Sequence, residues 1–77
     1  MQITIKYFGL LTEITNCEEE TINFNGSVIA ELLDQLFIKY TGLKMKDFQV
    51  AQNAELVGID AKVTGDDIVL LPPFSGG

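Results

Sequence analysis

The first residues of the chain alternate between apolar and polar side chains. Ile3, Ile5 and Tyr7 stand at every second position, with polar residues between them. A period of two residues is typical of a β-strand that buries one face. Phe8 falls on the polar side of this pattern, where an aromatic residue is unexpected. The pattern therefore predicts a first strand over residues 2–8 and makes Phe8 a candidate contact residue.

A change of hydrophobic period after residue 27 predicts one long helix. Ser27 is a residue type that often caps a helix start, and Gly42 is one that often follows a helix end. Between them, apolar residues recur three or four positions apart, which places them on one helix face. We predict a helix over residues 28–41 with this face in the core: Ile29, Leu32, Leu33, Leu36, Phe37 and Tyr40, with Leu43 adding a contact beyond Gly42.

Shorter apolar runs, bounded by Asn, Gly and Asp residues, predict the remaining strands. Ile22 and Phe24 are predicted to point inward from the second strand. The last strand is apolar at every position from residue 68 to 71, which is typical of a central strand. The predicted strands cover residues 21–24, 48–52, 56–57 and 67–71.

Two connecting segments are predicted to be irregular. Residues 10–19 are predicted to form a loop or one helical turn that uses Leu10, Leu11 and Ile14 as apolar contacts. The acidic run Glu18–Glu20 is predicted to be a solvated face, as short charge runs usually are. Ile59 is predicted to be the core residue of the segment that joins the last two strands.

The order of these elements predicts an α+β fold in a single domain over residues 1–77. Two strands, one helix and three further strands give a mixed sheet of four to five strands packed on one main helix. Ile68 and Leu70 are predicted to face the helix. Val69 and Leu71 then lie with Phe8 on the open face, where an apolar patch is typical of a protein-binding site. In the alternative, the loop that carries Leu10 and Leu11 covers this patch.

Composition and charge exclude several classes of function. The net charge is −6, with five lysines and no arginine, which disfavours nucleic-acid binding and suits a partner with a basic active-site mouth. The chain has no histidine and a single cysteine, Cys17, so it lacks the usual general base and a zinc-ligand set. Neither a bound cofactor nor a free-standing enzyme is expected. Because no apolar run matches a membrane span or a signal peptide, the cytoplasm is the expected location.

The last residues differ in character from the body. Pro72 and Pro73 lack an N–H group and should end the sheet ladder. Two prolines also favour an extended, semi-rigid spacer. The four residues Phe74–Gly77 would reach about 13–14 Å beyond them when extended. We therefore predict a flexible Gly-Gly tail over residues 72–77 that delivers its α-carboxylate into another protein's active site. Gly76 and Gly77 have no side chains, so they fit a channel that admits only backbone. The alternative is a frayed terminus.

These features together resemble a known family, the small subunit of molybdopterin synthase. The resemblance covers the whole chain and is most specific in the ending Leu71-Pro72-Pro73-Phe74-Ser75-Gly76-Gly77. The opening Tyr7-Phe8-Gly9, followed by Glu13, is similar to the family's aromatic pair, small residue and loop glutamate. Thr12 stands where the family often has an arginine, and Gln52 interrupts the family's usual apolar alternation. The resemblance implies a ubiquitin-like β-grasp fold.

The resemblance also implies a chemistry for the tail. The Gly77 carboxylate would be adenylated with ATP, which the activating partner binds, and then converted to a thiocarboxylate by a persulfide. That sulfur would build the dithiolene of molybdopterin on cyclic pyranopterin monophosphate. The carrier itself would supply sulfur without catalysing the transfer. The sequence does not decide whether the final cofactor contains molybdenum or tungsten.

Partners follow from the same resemblance. They would be a large synthase subunit in a heterotetramer of two small and two large subunits, an E1-like adenylyltransferase, and a sulfur donor such as a cysteine desulfurase or a rhodanese-type protein. The predicted partner-binding residues are Phe8, Val69, Leu71, Pro72, Pro73, Phe74 and Ser75.

Three other functions fit the sequence less well. A sulfur carrier for thiamine thiazole synthesis shares the fold and the Gly-Gly end, but usually has an Asn-Gly turn after the first strand and lacks the two prolines. A ubiquitin-like protein modifier joined to lysines would begin with the same adenylation. A plain interaction domain would use no tail chemistry. Cys17 as a reactive thiol is disfavoured, because no cationic residue stands close to it in the sequence.

Overall fold

A computed structural model describes residues 1–73 of the chain. The order of elements agrees with the sequence pattern, and the segment predicted to be a loop or one helical turn after the first strand contains a short helix. The elements are β1 Gln2–Tyr7, α1 Leu11–Thr15, β2 Glu19–Asn23, α2 Ile29–Lys39, a 3₁₀ helix Thr41–Met45, β3 Gln49–Gln52, β4 Glu55–Val57 and β5 Ile68–Leu71.

The five strands form one mixed sheet in the order β2-β1-β5-β3-β4. The last strand, β5, lies in the centre, parallel to β1 and antiparallel to β3. Its central place explains why it is apolar on both faces. The order and directions of the strands confirm the α+β, ubiquitin-like β-grasp prediction.

One face of the sheet packs on α2 and forms the core. Ile3, Ile5, Ile68 and Leu70 are each 0% exposed, as the alternation predicted. Helix α2 contributes the face predicted from its spacing, in which Ile29, Leu32, Leu33 and Leu36 are buried and Phe37 and Tyr40 pack partly against the core.

The start of α2 differs from the prediction. Val28, with extended backbone, is the N-cap residue, and Ser27 lies one residue outside the helix. The Glu31 carboxylate accepts hydrogen bonds from the backbone N–H of Ser27 at 2.8 Å and of Val28 at 3.1 Å. These two bonds, and a third from the Ser27 hydroxyl, lower the pKa of Glu31. The cap is therefore made by a side chain inside the first turn and not by the Ser27 side chain.

The end of α2 also differs, since Gly42 is not a left-handed C′ residue. The helix ends at Lys39, Tyr40 has non-helical backbone angles, and a separate 3₁₀ helix that contains Gly42 follows. A Cβ on Gly42 would lie 3.2 Å from Cγ2 of Ile14. Gly42 thus allows α1 to approach closely, while Leu43 is buried as predicted.

Ile59 is not a core residue, because its side chain is 58% exposed. The segment between β4 and β5 forms an antiparallel bridge with the chain just before α2, in which Lys62 pairs with Val28. The side chains of this segment that point inward are therefore those of Ala61 and Val63. Ile59 acts through its backbone: its carbonyl accepts the Ala30 N–H at 2.9 Å. The segment therefore supplies acceptors for free N–H groups in the first turn of α2.

Glu20 departs from the solvated acidic run predicted for Glu18–Glu20. It lies on β2 with 14% of its side chain exposed. Its Oε2 accepts hydrogen bonds from the Tyr7 hydroxyl at 2.7 Å and the Tyr40 hydroxyl at 2.6 Å, and Lys39 pairs with Oε1. This carboxylate therefore links β1, β2 and the end of α2.

The pKa values of this cluster follow from its contacts. Burial alone would raise the pKa of Glu20, but hydrogen bonds from Lys39, Tyr40 and Tyr7 outweigh it and lower the pKa. Burial, followed by hydrogen bonding to Glu20, raises the pKa of both tyrosines. A carboxylate whose pKa is lower in the folded state than in the unfolded state contributes stability above its unfolded pKa.

We expect Glu20→Gln to lower the free energy of unfolding by about 1–3 kcal/mol at pH 7, because a buried charged acceptor is lost. This loss of unfolding free energy should be complete above pH 4.5, the ordinary pKa of a glutamate. It should shrink as the pH falls through the pKa of Glu20 in the folded protein, which is lower. Urea unfolding at several pH values measures this, with the exposed Glu19→Gln as the matched control. A deficit that stays constant from pH 7 to pH 3 would contradict the assignment.

Candidate partner-binding face and tail exit

The sheet face opposite α2 carries the predicted apolar patch. Val69 of β5 pairs with Lys6 of β1 on one side and with Ala51 of β3 on the other. Paired residues share a face of the sheet, so these side chains lie beside one another. Val69 and Leu71 are partly exposed here, whereas Ile68 and Leu70 are buried against α2.

Phe8 extends this patch at the end of β1. Its side chain is 50% exposed, and its backbone N–H donates to the Leu70 carbonyl at 3.2 Å. Because Tyr7 pairs with Leu70, Phe8 follows at the level of Leu71. The structure therefore brings Phe8, Val69 and Leu71 to one region, as predicted. Leu10 remains 67% exposed and Leu11 is in the core, which does not fit the alternative that these residues cover the patch.

Two further apolar residues of this face were missed from the sequence. Ala51 pairs with both Val69 and Leu56, and the Leu56 side chain is 60% exposed. The sequence predicted the strand that contains Leu56, but not its register. The row Leu56–Ala51–Val69 crosses three strands. Ala51 in its middle is only 8% exposed, so the exposed apolar surface comes from Val69 and, at the β4 edge, from Leu56.

Charge on this face is distributed around the apolar row. Lys6 pairs with Asp67 at 3.4 Å, with both side chains substantially exposed. An exposed ion pair of this kind contributes little to stability. Glu19, opposite Lys6 on β2, is also exposed. With a net charge of −6, the chain suits a partner whose apolar contact is surrounded by basic residues.

The role of Gln52 was also not predicted from the sequence. Its side chain is 6% exposed, with Nε2 donating to the Lys62 carbonyl at 2.9 Å and Oε1 accepting the Thr64 N–H at 3.0 Å. Both polar ends are satisfied, which explains a polar residue at an inward position of β3. Gln52 thereby holds the segment before β5 against the sheet.

The chain leaves the sheet through Pro72 and Pro73, which are both exposed. On one side of them lies the turn at Gly9. They also line a small cavity of about 120 Å³ together with Leu10, Leu11, Lys46 and Asp47. The exit is therefore formed by the prolines, the turn after β1 and the segment before β3.

The remaining predicted site residues, Phe74, Ser75, Gly76 and Gly77, lie outside the described residues. Cys17 is partly buried, with Sγ 4.0 Å from Oε2 of Glu20. A carboxylate neighbour does not activate a thiol as a nucleophile. Within residues 1–73 there is no group of three or more His, Cys, Asp or Glu residues that could hold a metal ion, and no helix long and apolar enough to cross a membrane.

These features define a small β-grasp domain with an apolar open face and a chain that leaves the sheet beside it. The sequence model of the ThiS family matches residues 5–77, and the chain belongs to this family. It is a β-grasp domain of the sulfur-carrier type.

Two comparisons confirm the predicted resemblance to molybdopterin synthase small subunits. A molybdopterin synthase sulfur carrier subunit of Chlamydomonas reinhardtii is 32% identical over 83 residues, covering 100% of both chains. A chain in the complex of subunits 1 and 2 of the molybdopterin-converting factor of Helicobacter pylori is 30% identical, covers 100% of both chains and has a TM-score of 0.69. Their names describe subunits and a carrier, which agrees with the expectation that this chain is not an enzyme by itself.

A third comparison supports the fold alone. SAMP1 of Haloferax volcanii matches with a TM-score of 0.82 at 22% identity, over 100% of both chains. The two proteins therefore share the β-grasp architecture, although only 22% of their residues are identical.

Proposed function

We propose that this chain is the sulfur-carrier small subunit of a molybdopterin synthase. The observation that carries the proposal is the match, along the whole chain, to a sulfur carrier subunit of that enzyme. The predicted ending Pro72-Pro73-Phe74-Ser75-Gly76-Gly77 and the apolar open face support it. The proposal assigns the chemistry to the Gly77 carboxylate and the docking to the open face.

The proposed reaction begins with activation, because a carboxylate lacks a usable leaving group. A Gly77 carboxylate oxygen attacks the α-phosphorus of ATP on an E1-like partner, and pyrophosphate leaves. A persulfide sulfur of the donor protein then attacks the acyl carbon, and AMP leaves. A second thiol attacks the other sulfur of the resulting acyl disulfide, which releases the thiocarboxylate and leaves a disulfide on the donor.

The thiocarboxylate is the sulfur nucleophile of the next stage. It would enter a large subunit that holds cyclic pyranopterin monophosphate and transfer its sulfur to form the dithiolene. In this scheme the open face around Phe8, Val69 and Leu71 docks on each partner in turn. Pro72 and Pro73 hold the tail away from the folded body, and Phe74 and Ser75 contact the channel mouth.

The test of this proposal is whether sulfur is carried on Gly77 and not on Cys17. We expect the chain from its native host to carry a thiocarboxylate, detected by a thiocarboxylate-selective alkylating reagent and located by mass spectrometry of the terminal peptide. Cys17→Ser should keep the label and still support dithiolene formation with the large subunit and the pterin precursor.

Other results would support a different function. Sulfur found on Cys17, or a folded Cys17→Ser protein that fails as a donor, would contradict the proposal. A thiocarboxylate that supports thiazole formation and no dithiolene would assign the chain to thiamine synthesis. Conjugates with lysine side chains, with no thiocarboxylate, would assign it to protein modification.

A further inference from the structure

Gly9 lies in direct contact with the residue at which the chain leaves the sheet. Its φ is 61°, a left-handed conformation that residues with a side chain rarely adopt. A Cβ at Gly9 would lie 2.8 Å from Cγ and 3.7 Å from Cδ of Pro72. The first of these distances is too short for a real contact. The Pro72 ring therefore occupies the space that a side chain at position 9 would need.

The turn that contains Gly9 is held by hydrogen bonds on both sides. The Gly9 carbonyl accepts the Thr12 backbone N–H at 3.1 Å and the Thr12 hydroxyl at 2.9 Å. The preceding residue, Phe8, donates its N–H to the Leu70 carbonyl at 3.2 Å. The turn is thus connected to β5 at one end and to α1 at the other, so its position relative to Pro72 is determined.

Pro72 has little freedom to avoid an added side chain. Its ring is closed onto its own backbone, so Cγ can move only between the two puckers of the ring, and any larger displacement of Cγ moves the chain. An ordinary contact begins at 3.4 Å, so a methyl group on Gly9 would push Cγ of Pro72 by about 0.6 Å, and at the left-handed φ of Gly9 it would also strain the turn itself. A rotation at Pro72 would be amplified with distance from it, because a fully extended chain covers about 3.3–3.6 Å for each residue.

We propose that Gly9 is a positioning residue, supported by Thr12, that sets the direction in which the tail leaves the sheet. This inference rests on the proposed function, in which the tail must place Gly77 against reacting atoms of the partner. Thr12 supports Gly9 by holding its carbonyl. Because the docking face lies on the sheet and the direction of the tail is set by the turn, the two can be altered separately.

The first test adds one methyl group at each of two glycines. Gly9→Ala introduces the contact with Pro72. Gly58→Ala is the matched control, because a methyl group on Gly58 would have no heavy atom within 4 Å. The φ of Gly58 is also not left-handed. We expect Gly9→Ala to lower kcat for ATP–pyrophosphate exchange with the activating enzyme by about tenfold or more, as sub-ångström to ångström misplacements do. KM for the carrier should change by less than about twofold, because the substitution leaves the docking of the carrier on the enzyme unchanged.

The second test asks whether the contact itself is responsible. Pro72→Ala removes the Cγ atom, so the loss caused by Gly9→Ala should be smaller in the Pro72→Ala background than in the wild type. Thr12→Val, which removes the hydroxyl, should show a partial loss of kcat, and Thr12→Ser should restore it. Additive effects of Gly9→Ala and Pro72→Ala would overturn the inference, as would equal kcat values for Gly9→Ala and Gly58→Ala.

A readout that needs no enzyme separates this inference from the proposed function. In NMR spectra of the whole chain, a nuclear Overhauser effect should join the Gly9 α-protons to the Pro72 ring. Gly9→Ala should shift the signals of residues 72–74 and leave those of the α2 core unchanged, while Gly58→Ala should shift neither. If the wild type shows no adenylation, the proposed function fails, and the NMR measurement alone then decides whether Gly9 sets the direction of the chain at Pro72. Unchanged signals at residues 72–74 in Gly9→Ala would overturn it.

Discussion

We expect deletion of Gly77 to abolish adenylation of the chain and to leave its folded body intact. The proposed reacting group is the carboxylate of this residue, so its loss moves the terminus short of the α-phosphate of ATP. A displacement of one residue, about 3.3–3.6 Å, is far beyond the ångström that costs a reaction about 100-fold. We therefore expect exchange to fall by more than about 100-fold.

The same result is expected when Gly76 is replaced by a bulky residue. Gly76→Leu keeps the chain length but should not enter a channel that admits only backbone. Gly58→Leu is the matched control, since it adds the same side chain at a glycine with open space around it. Stability should not change in the truncated chain, because the last strand of the described residues ends at Leu71, six residues before Gly77.

The measurement is ATP–pyrophosphate exchange with the activating enzyme, together with thermal unfolding of each variant. The intact mass of the wild type tests whether the native chain terminates at Gly77. Exchange by the truncated chain at the wild-type rate would show that the Gly77 carboxylate is not the activated group.

We expect Phe8→Asp to weaken binding to both the proposed activating enzyme and the proposed large subunit. Phe8 is half exposed in the free chain, so the substitution should cost the fold little. In a desolvated contact, however, the new carboxylate would be buried without a partner. We expect a loss of about 2–4 kcal/mol in each complex, which is roughly 30- to 700-fold in Kd.

The control for this substitution is Ile38→Asp on the helix side of the molecule. Ile38 is 83% exposed on α2, so the same change of charge is made away from the open face. Isothermal titration calorimetry of each variant with each partner measures the effect. Equal affinities for the Phe8→Asp and wild-type chains would contradict the docking assignment, and so would a stable ternary complex, since one face is proposed to serve both partners in turn.

The sequence predicted the order of elements because local periodicity reflects which side of an element is buried. The inward positions of β1 and β5 and the apolar face of α2 all follow from spacing of two or of three to four residues. Alternation also separated Val69 and Leu71 from Ile68 and Leu70. These assignments need only neighbouring residues, which is why they could be made from the chain alone.

Predictions that depended on distant residues were wrong or missing. Glu20 looked like part of a solvated acidic run, but its hydroxyl partners Tyr7 and Tyr40 stand 13 and 20 residues away. Ile59 was assigned to the core because it is apolar, whereas pairing of its segment with Val28 turned Ala61 and Val63 inward.

The sequence by itself determined the fold class, the family and the position of the candidate tail, because periodicity, composition and a terminal motif are local properties. Only the tertiary structure decided which residues share the open face and how the chain leaves it. Leu56 joined that face through strand register, and Gly9 met Pro72 because β1 and β5 run parallel and side by side. Such contacts join residues far apart in the chain, and they depend on packing that no single segment encodes.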